Sequence, residues 1–171
     1  MKTAFIGLGL LFAFVAPATA TVISAGETGF VLREEVVFDG NAANAWKRLV
    51  RPQDWWSKSH TFSGDAANMS ISLEQGGCWC EKLSGGGVAR HMDVVLVIPQ
   101  STLRMRGGLG PLQSMGVDGA LTFTLEPAAA DKTKVTLVYA VGGYAKDGFV
   151  HIAQAADDVL AEQLKLYASS H

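Results

Sequence analysis

The feature that most constrains the fold is a run of short segments, from about residue 69 to residue 141, in which apolar and polar residues alternate. In the first of them, Met69, Ile71 and Leu73 alternate with polar neighbours. A period of two places alternate side chains on opposite faces of a β-strand, so the pattern is typical of half-buried strands. It predicts six successive strands at 69–74, 78–83, 88–98, 102–106, 117–125 and 134–141. Most are separated by short turns containing glycine or proline, which favours antiparallel neighbours.

Before this run, the sequence predicts one strand and two short helices. The strand at 29–38 is rich in β-branched and aromatic residues and follows a flexible start. A helix at 42–50 comes next, and Asn41 is a suitable N-cap for it. Pro52 ends that helix and opens the second short helix, because proline is well tolerated in a first helical turn.

The chain closes with a long predicted helix from about residue 148 to residue 168, capped by Asp147. Its apolar residues recur at helical spacing and share one face. The members of this face are Phe149, Ile152, Ala153, Ala156, Val159, Leu160, Gln163 and Tyr167. The outer face is expected to carry Asp157, Asp158, Glu162 and Lys165.

These elements predict one α+β domain over residues 21–171, with two short helices after the first strand. In this arrangement, a curved antiparallel sheet of about seven strands wraps around the C-terminal helix, because that helix alone is long enough to cover the apolar face of the sheet. Such a wrap leaves a space between helix and sheet. We expect a ligand to bind there.

Residues 1–20 have the order of an export signal: Lys2 near the start, a short apolar block, and small residues before Ala20. We expect cleavage after Ala20 and a periplasmic or secreted mature protein. No later stretch has membrane-spanning length. The net charge of −2 gives no basic footprint, which argues against nucleic acid and anionic membranes as main partners.

Three short motifs add to the order of elements: Trp55-Trp56 after the first helix, Gly76-Gly77-Cys78-Trp79-Cys80-Glu81 at a strand start and Gly110-Pro111-Leu112-Gln113 in a loop. Together they resemble the SRPBCC superfamily, the START-like or helix-grip proteins, over about residues 30–168. Within it, the chain is most similar to the polyketide-cyclase-like and heat-shock ATPase activator-homologue branch. The resemblance implies an apolar cavity for lipids, polyketides, sterols or similar molecules. It carries over no single catalytic signature, and the export signal argues against an ATPase-activating role.

Cys78 and Cys80 are the only cysteines. Because one residue separates them on a predicted strand, their side chains point to the same face and that of Trp79 to the other. A regular strand holds such sulfurs poorly for bonding, so a disulfide needs a bulge or strain, and a strained bridge is readily reduced. Two buried thiols and a disulfide both fit the pattern. A metal site would have His91 as its only obvious third ligand, with no fourth, so no metal is expected.

Glu81 is the carboxylate that points toward the predicted space if its strand is regular. A desolvated glutamate has a raised pKa and can act as a general base, with His91 or Tyr139 as its catalytic partner. The alternative is a structural ion pair with Arg90 or Arg104 on neighbouring strands. The sequence favours the structural role.

Large apolar side chains are candidates for the wall of the ligand site. We predict that the ligand contacts Trp55, Trp56, Trp79, Met105, Leu112, Met115, Phe123, Tyr139 and Tyr144. The segment 107–116 joins two strands by more residues than a tight hairpin needs and is flanked by glycine, so we predict that it acts as a lid.

These patterns predict an exported binding protein for a hydrophobic small molecule, with no cofactor. One alternative is a cyclase- or hydrolase-like enzyme that uses Glu81 as general base. Another is an accessory factor that binds a partner protein through the 107–116 loop. Ligand binding that survives loss of the Glu81 carboxylate would favour the first hypothesis over the second.

Overall fold

The computed structural model describes residues 21–169, so the predicted signal peptide at 1–20 lies outside the described residues. Within this range, eight strands form one antiparallel sheet and two α-helices accompany it. The strands are β1 (Thr21–Ala25), β2 (Gly29–Asp39), β3 (Met69–Ile71), β4 (Cys78–Lys82), β5 (Val88–Ile98), β6 (Thr102–Arg106), β7 (Val117–Ala129) and β8 (Lys132–Gly143). The helices are α1 (Ala42–Leu49) and α2 (Val150–Ala168).

The sheet has the strand order β1-β2-β8-β7-β6-β5-β4-β3. Strands β3 to β8 form a meander, and the β1–β2 hairpin joins it where β2 pairs with β8. An antiparallel sheet with a long C-terminal helix confirms the predicted α+β, helix-grip class. The sheet has eight strands rather than about seven because the segment before residue 29 contributes β1.

The prediction of a flexible start before residue 29 was wrong. Residues of β1 pair with the outer edge of β2, with Val22 opposite Leu32 and Ala25 opposite Phe30. Val22 also packs against the core. This pairing supplies hydrogen-bond partners for an edge of β2 that would otherwise be exposed.

The two short helices lie between β2 and β3, as predicted. The side chain of Asn41 caps α1 by accepting a hydrogen bond from the backbone N–H of Asn44 at 3.0 Å. The second is a single 3-10 turn at Pro52–Asp54. Farther along the chain, Tyr167 of α2 donates a hydrogen bond to the Ala45 carbonyl at 2.8 Å, which ties α1 to the terminal helix.

Alternation along the strands gives the sheet one apolar face, on which α2 packs with its most extensive contacts to β2. The large side chains that are almost fully buried include Leu32, Leu103, Leu121, Phe123 and Leu137. Burying one such side chain contributes roughly 1.5–3 kcal/mol relative to leaving it in water. Neither helix within residues 21–169 combines the length and apolarity needed to cross a membrane.

The start of α2 differs from the prediction. The helix begins at Val150, and Phe149 occupies the N-cap position without a side-chain hydrogen bond. Gly148, at a φ of +71°, turns the chain just before it, a conformation that favours glycine. Asp147 therefore lies outside the helix and does not cap it.

The helix α2 has two apolar stripes rather than the single predicted face. The sheet-facing stripe is buried and contains Ala153, Asp157, Leu160, Ala161, Gln163, Leu164 and Tyr167. The prediction that Asp157 lies on the outer face was wrong: it is 4% exposed, because it stands four residues from both Ala153 and Ala161 and so shares their stripe. A second, half-buried stripe contains Ile152, Ala156 and Val159.

Replacing Leu164 tests the packing of α2 on the sheet. Leu164 is 1% exposed, so Leu164→Ala should lower the free energy of unfolding by about 2–5 kcal/mol through lost burial and a residual cavity. Leu166, which is 37% exposed on the same helix, is the matched control, and Leu166→Ala should cost less than about 1 kcal/mol. Urea denaturation measures both. Equal losses would contradict the assigned face.

Candidate functional site

A cavity of about 450 Å³ lies between α2, two loops and the sheet. The segments 59–62 and 109–112 form two of its walls, and α2 forms a third. The sheet contributes His91 of β5 and Tyr139 of β8. Exposed residues at the rim, among them Phe62, connect the cavity with solvent.

The helical wall is apolar and is formed by the second stripe of α2. Ile152, Ala156 and Val159 line the cavity, together with Leu160 from the sheet-facing stripe and Ala155 at its exposed rim. The small side chains of Ala155 and Ala156 leave space that longer side chains would occupy. The residues that hold α2 on the sheet and the residues that shape the cavity are thus largely different positions of one helix.

The loop that follows Trp56 forms the polar wall and is tied to α2. The backbone N–H of Ser57 donates to Gln163 Oε1 at 2.7 Å, and His60 Nε2 lies 3.2 Å from Glu162 Oε2. Trp56 Nε1 donates to the His60 carbonyl at 2.8 Å. These contacts fix the polar residues 59–61 against the cavity.

The same loop is tied to the sheet by the buried carboxylate of Glu81. The backbone N–H groups of Phe62 and Ser63 both donate to it, and His91 Nε2 lies 2.9 Å from Glu81 Oε2. The Glu81 side chain has no exposed surface. Burial by itself raises the pKa of Glu81, but the hydrogen bonds from Ser63, Phe62 and His91 outweigh it and leave the pKa below its usual range.

His91 presents a neutral ring to the cavity. Burial lowers its pKa, and the hydrogen bond and negative charge of Glu81 offset this only in part. Since Nε2 donates to a carboxylate, the proton is assigned to Nε2 and Nδ1 is left as an acceptor. Nδ1 is buried and has no hydrogen-bond partner among residues 21–169. The Phe62 ring stacks on His91 with centroids 5.5 Å apart.

Glu81 forms neither of the ion pairs considered as alternatives. Arg90 instead pairs with Asp93, and Arg104 donates to Thr122 Oγ1 at 3.0 Å. The structural role favoured for Glu81 therefore takes another form, because its partners are a histidine and two loop amides. All three contacts engage its oxygens on the interior side of β4.

Tyr139 anchors the loop 107–116 that was predicted to be a lid. Its hydroxyl donates to the Gly107 carbonyl and accepts from the Leu109 N–H, each at 3.0 Å. Burial raises the pKa of Tyr139 to about 12, so the phenol stays protonated at neutral pH. The loop contains a 3-10 turn at Gly110–Ser114 and covers one side of the cavity.

The predicted ligand contacts fall into three groups in the structure. Four line the cavity: Trp56, Leu112, Met115 and Tyr139. Four lie in the core outside the cavity wall: Trp55, Trp79, Met105 and Phe123. Tyr144 is 74% exposed and lies away from the cavity.

Cys78 and Cys80 form a disulfide, with 5.4 Å between their Cα atoms. The pairing of β4 with β5 shifts register between Trp79 and Cys80, so the bridge coincides with the expected irregularity. Bonded to each other, the cysteines offer no thiolate pair to a metal beside His91. Within residues 21–169, no group of three or more His, Cys, Asp or Glu side chains is placed to hold a metal ion.

Sequence patterns missed much of the cavity wall. They gave no role to Phe62 or to the polar residues 59–61, which lie in a loop without periodicity. The spacing of Ile152, Ala156 and Val159 identified an apolar face of the helix. It did not show that these three residues would line a cavity. Glu81 and His91 were both singled out, yet the loop amides that bind Glu81 leave no side-chain signal in the sequence.

The neutral state of His91 predicts how stability depends on pH. Its folded pKa lies below the ordinary 6.5, so the unfolded chain binds the proton more readily and stability is lost as pH falls below about 6.5. Glu81, whose folded pKa lies below 4.5, adds a further loss at lower pH. His91→Gln should flatten the slope between pH 7 and pH 5, by at most about 1.4 kcal/mol per pH unit.

The exposed His151 supplies the control for this measurement, since His151→Gln should leave the slope unchanged. Urea denaturation of the three proteins at each pH gives the free energies of unfolding. Parallel curves for the wild type and His91→Gln would show that His91 does not govern the acid sensitivity.

Several solved structures share this fold. Protein MLL2253 from Mesorhizobium loti is 18% identical, and the match covers 81% of this chain and 93% of that chain with a TM-score of 0.57. CalU16 from Micromonospora echinospora is 15% identical over 82% of this chain and 77% of that chain, with a TM-score of 0.52. The di-domain ARO/CYC BexL from the BE-7585A biosynthetic pathway is 14% identical over 81% of this chain and 45% of that chain, with a TM-score of 0.57.

No protein-family model matches the sequence, and no curated protein matches it either. One of the structural neighbours is an ARO/CYC protein. At these sequence identities, the likeness shows a shared helix-grip fold and nothing about function.

Proposed function

We propose that this protein binds a hydrophobic small molecule in the cavity between α2, the two loops and the sheet. The observation that carries the proposal is the cavity itself, whose volume of about 450 Å³ falls in the range of small-molecule sites, roughly 300–1,000 Å³. Its walls are mostly apolar, so transfer of a hydrophobic ligand from water would be favourable.

The polar groups of the cavity suggest that the ligand is not a pure hydrocarbon. Ser59, His60 and Thr61 come from one loop, and His91 stands behind Phe62 on the same side. A few polar groups within an apolar wall orient a ligand through hydrogen bonds. We therefore propose a largely apolar molecule that carries a hydrogen-bonding group.

Export is the second part of the proposal and rests on the pattern of residues 1–20. A positive start, an apolar block too short to span a bilayer and a small residue at the expected cleavage position support it. In this proposal the mature protein begins at Thr21 and acts in the periplasm or outside the cell.

Native mass spectrometry of the protein purified from its own host tests both parts. We expect a mass corresponding to a chain that starts at Thr21, plus a bound small molecule that is released on denaturation. A mass that includes residues 1–20 in the exported fraction would contradict cleavage. An empty protein that also fails to bind hydrophobic fluorescent probes would contradict the binding proposal.

A cavity-filling variant then locates the ligand. Ala156→Phe places a ring in the cavity and should weaken binding of the released ligand by at least about 30-fold. Gln154→Phe adds the same ring to the exposed side of α2, two residues away, and should change affinity by less than about threefold. Circular dichroism confirms that each variant is folded. Equal affinities would place the ligand elsewhere.

An enzyme of the cyclase or hydrolase type is the second candidate, and the buried Glu81–His91 pair favours it. Because the oxygens of Glu81 are engaged by His91 and two loop amides, His91 is the better general base and Glu81 the residue that orients it. A biosynthetic-pathway neighbour, the ARO/CYC BexL, is compatible with such chemistry. A His91→Gln variant that still binds the ligand but no longer converts it would show an enzyme. A wild-type protein that binds the ligand without converting it would show a carrier.

A further inference from the structure

The Cys78–Cys80 disulfide lies on the outer face of β4, opposite the face that carries Trp79 and Glu81 toward the interior. Both cysteines are only half-buried. The residues paired with them on the adjacent strands are all exposed: Ser70, Arg90 and Asp93. The bridge is thus placed where a thiol in solution can approach it.

This bridge adds little to the stability of the fold. A disulfide stabilises a protein mainly by restricting the unfolded chain, and the effect grows with the number of residues enclosed. Here the bridge encloses one residue, Trp79. β4 is already held by its ladders with β3 and β5, so it needs no covalent link to keep its place.

β4 is also shortened at the bridge. Residues two apart in a regular strand lie about 6.4–6.8 Å apart, whereas the Cα atoms of Cys78 and Cys80 are 5.4 Å apart. The register shift with β5 falls at the same place, between Trp79 and Cys80. Reduction would let the strand extend toward regular pairing, which favours the reduced, dithiol form of the two cysteines.

We propose that Cys78–Cys80 is a thiol–disulfide exchange site that reacts with thiols while the protein remains folded. This function is independent of the ligand cavity, because the bridge lies on the outer face of the sheet. Accessibility, the small enclosed loop and the shortened strand all distinguish it from a structural disulfide, which resists reduction in the folded state.

The reaction is a balanced two-electron exchange with a dithiol. One thiolate of the dithiol attacks a sulfur of the bridge, the sulfur–sulfur bond breaks, and the departing cysteine takes up a proton. The second thiol then attacks the mixed disulfide, releases the other cysteine and forms a disulfide in the dithiol. The dithiol is oxidised, and Cys78 and Cys80 become two thiols. With a monothiol such as glutathione, two molecules supply the same two electrons.

The first test compares reduction of the folded and the unfolded protein. The protein is incubated with millimolar glutathione at neutral pH, with and without urea, and its thiols are trapped with a maleimide and counted by intact mass. We expect the folded rate to be within about 100-fold of the unfolded rate, because the bridge is accessible. A folded rate more than about 100-fold below the unfolded rate would overturn the proposal, since it would show that reduction requires unfolding.

The second test identifies the kind of thiol that reacts. The folded protein should oxidise a reduced peptide with a Cys-x-x-Cys sequence in a one-to-one ratio. The double variant Cys78→Ser/Cys80→Ser, whose folding is checked by circular dichroism, should leave the peptide reduced. Reduction by the peptide supports exchange with protein dithiols, and reduction by glutathione alone supports exchange with small thiols. Failure of both reagents on folded protein would overturn the proposal.

Discussion

The site depends on one buried carboxylate. Glu81 has no exposed side-chain surface, and removal of a carboxylate from water is costly unless hydrogen bonds replace its hydration. Three donors do so here, the amides of Phe62 and Ser63 and the ring of His91. Two of these donors belong to a loop and the third to a neighbouring strand. Because the Glu81 carboxylate needs all three, it joins the loop to the sheet and sets the position of one cavity wall.

The opposite side of that loop is secured by α2, through Gln163 and Glu162. The loop after Trp56 is therefore held at both ends by polar contacts, while the loop 107–116 is held by the hydroxyl of Tyr139. Two irregular segments thus keep a space open beside a well-packed core. Polar contacts position these walls, and the apolar side chains between them determine what kind of molecule the space suits.

Much of the fold could be predicted from sequence because period-two alternation and helical spacing are local signals. The strands β4 to β8 and the helix α2 follow from them within a few residues. The strand β1 could not be predicted this way, because the segment is a strand only through its pairing with the edge of β2, where Val22 lies opposite Leu32. The burial of Asp157 was missed because its charge indicated a solvent face, whereas the orientation of α2 is set by the packing of all its neighbours. For the site, Glu81 and His91 stood out by residue type, but the loop amides that complete it have no sequence signature.

The two stripes of α2 have a consequence for how such proteins diversify. Because Ala153 and Leu164 pack on the sheet while Ile152, Ala156 and Val159 face the cavity, the second set can change in size with modest effect on folding. Under the proposed function, these few helical positions would set which ligand fits, while the architecture stays the same. Solved structures keep this fold at 14–18% identity, so the sheet and its terminal helix do not require one particular set of side chains.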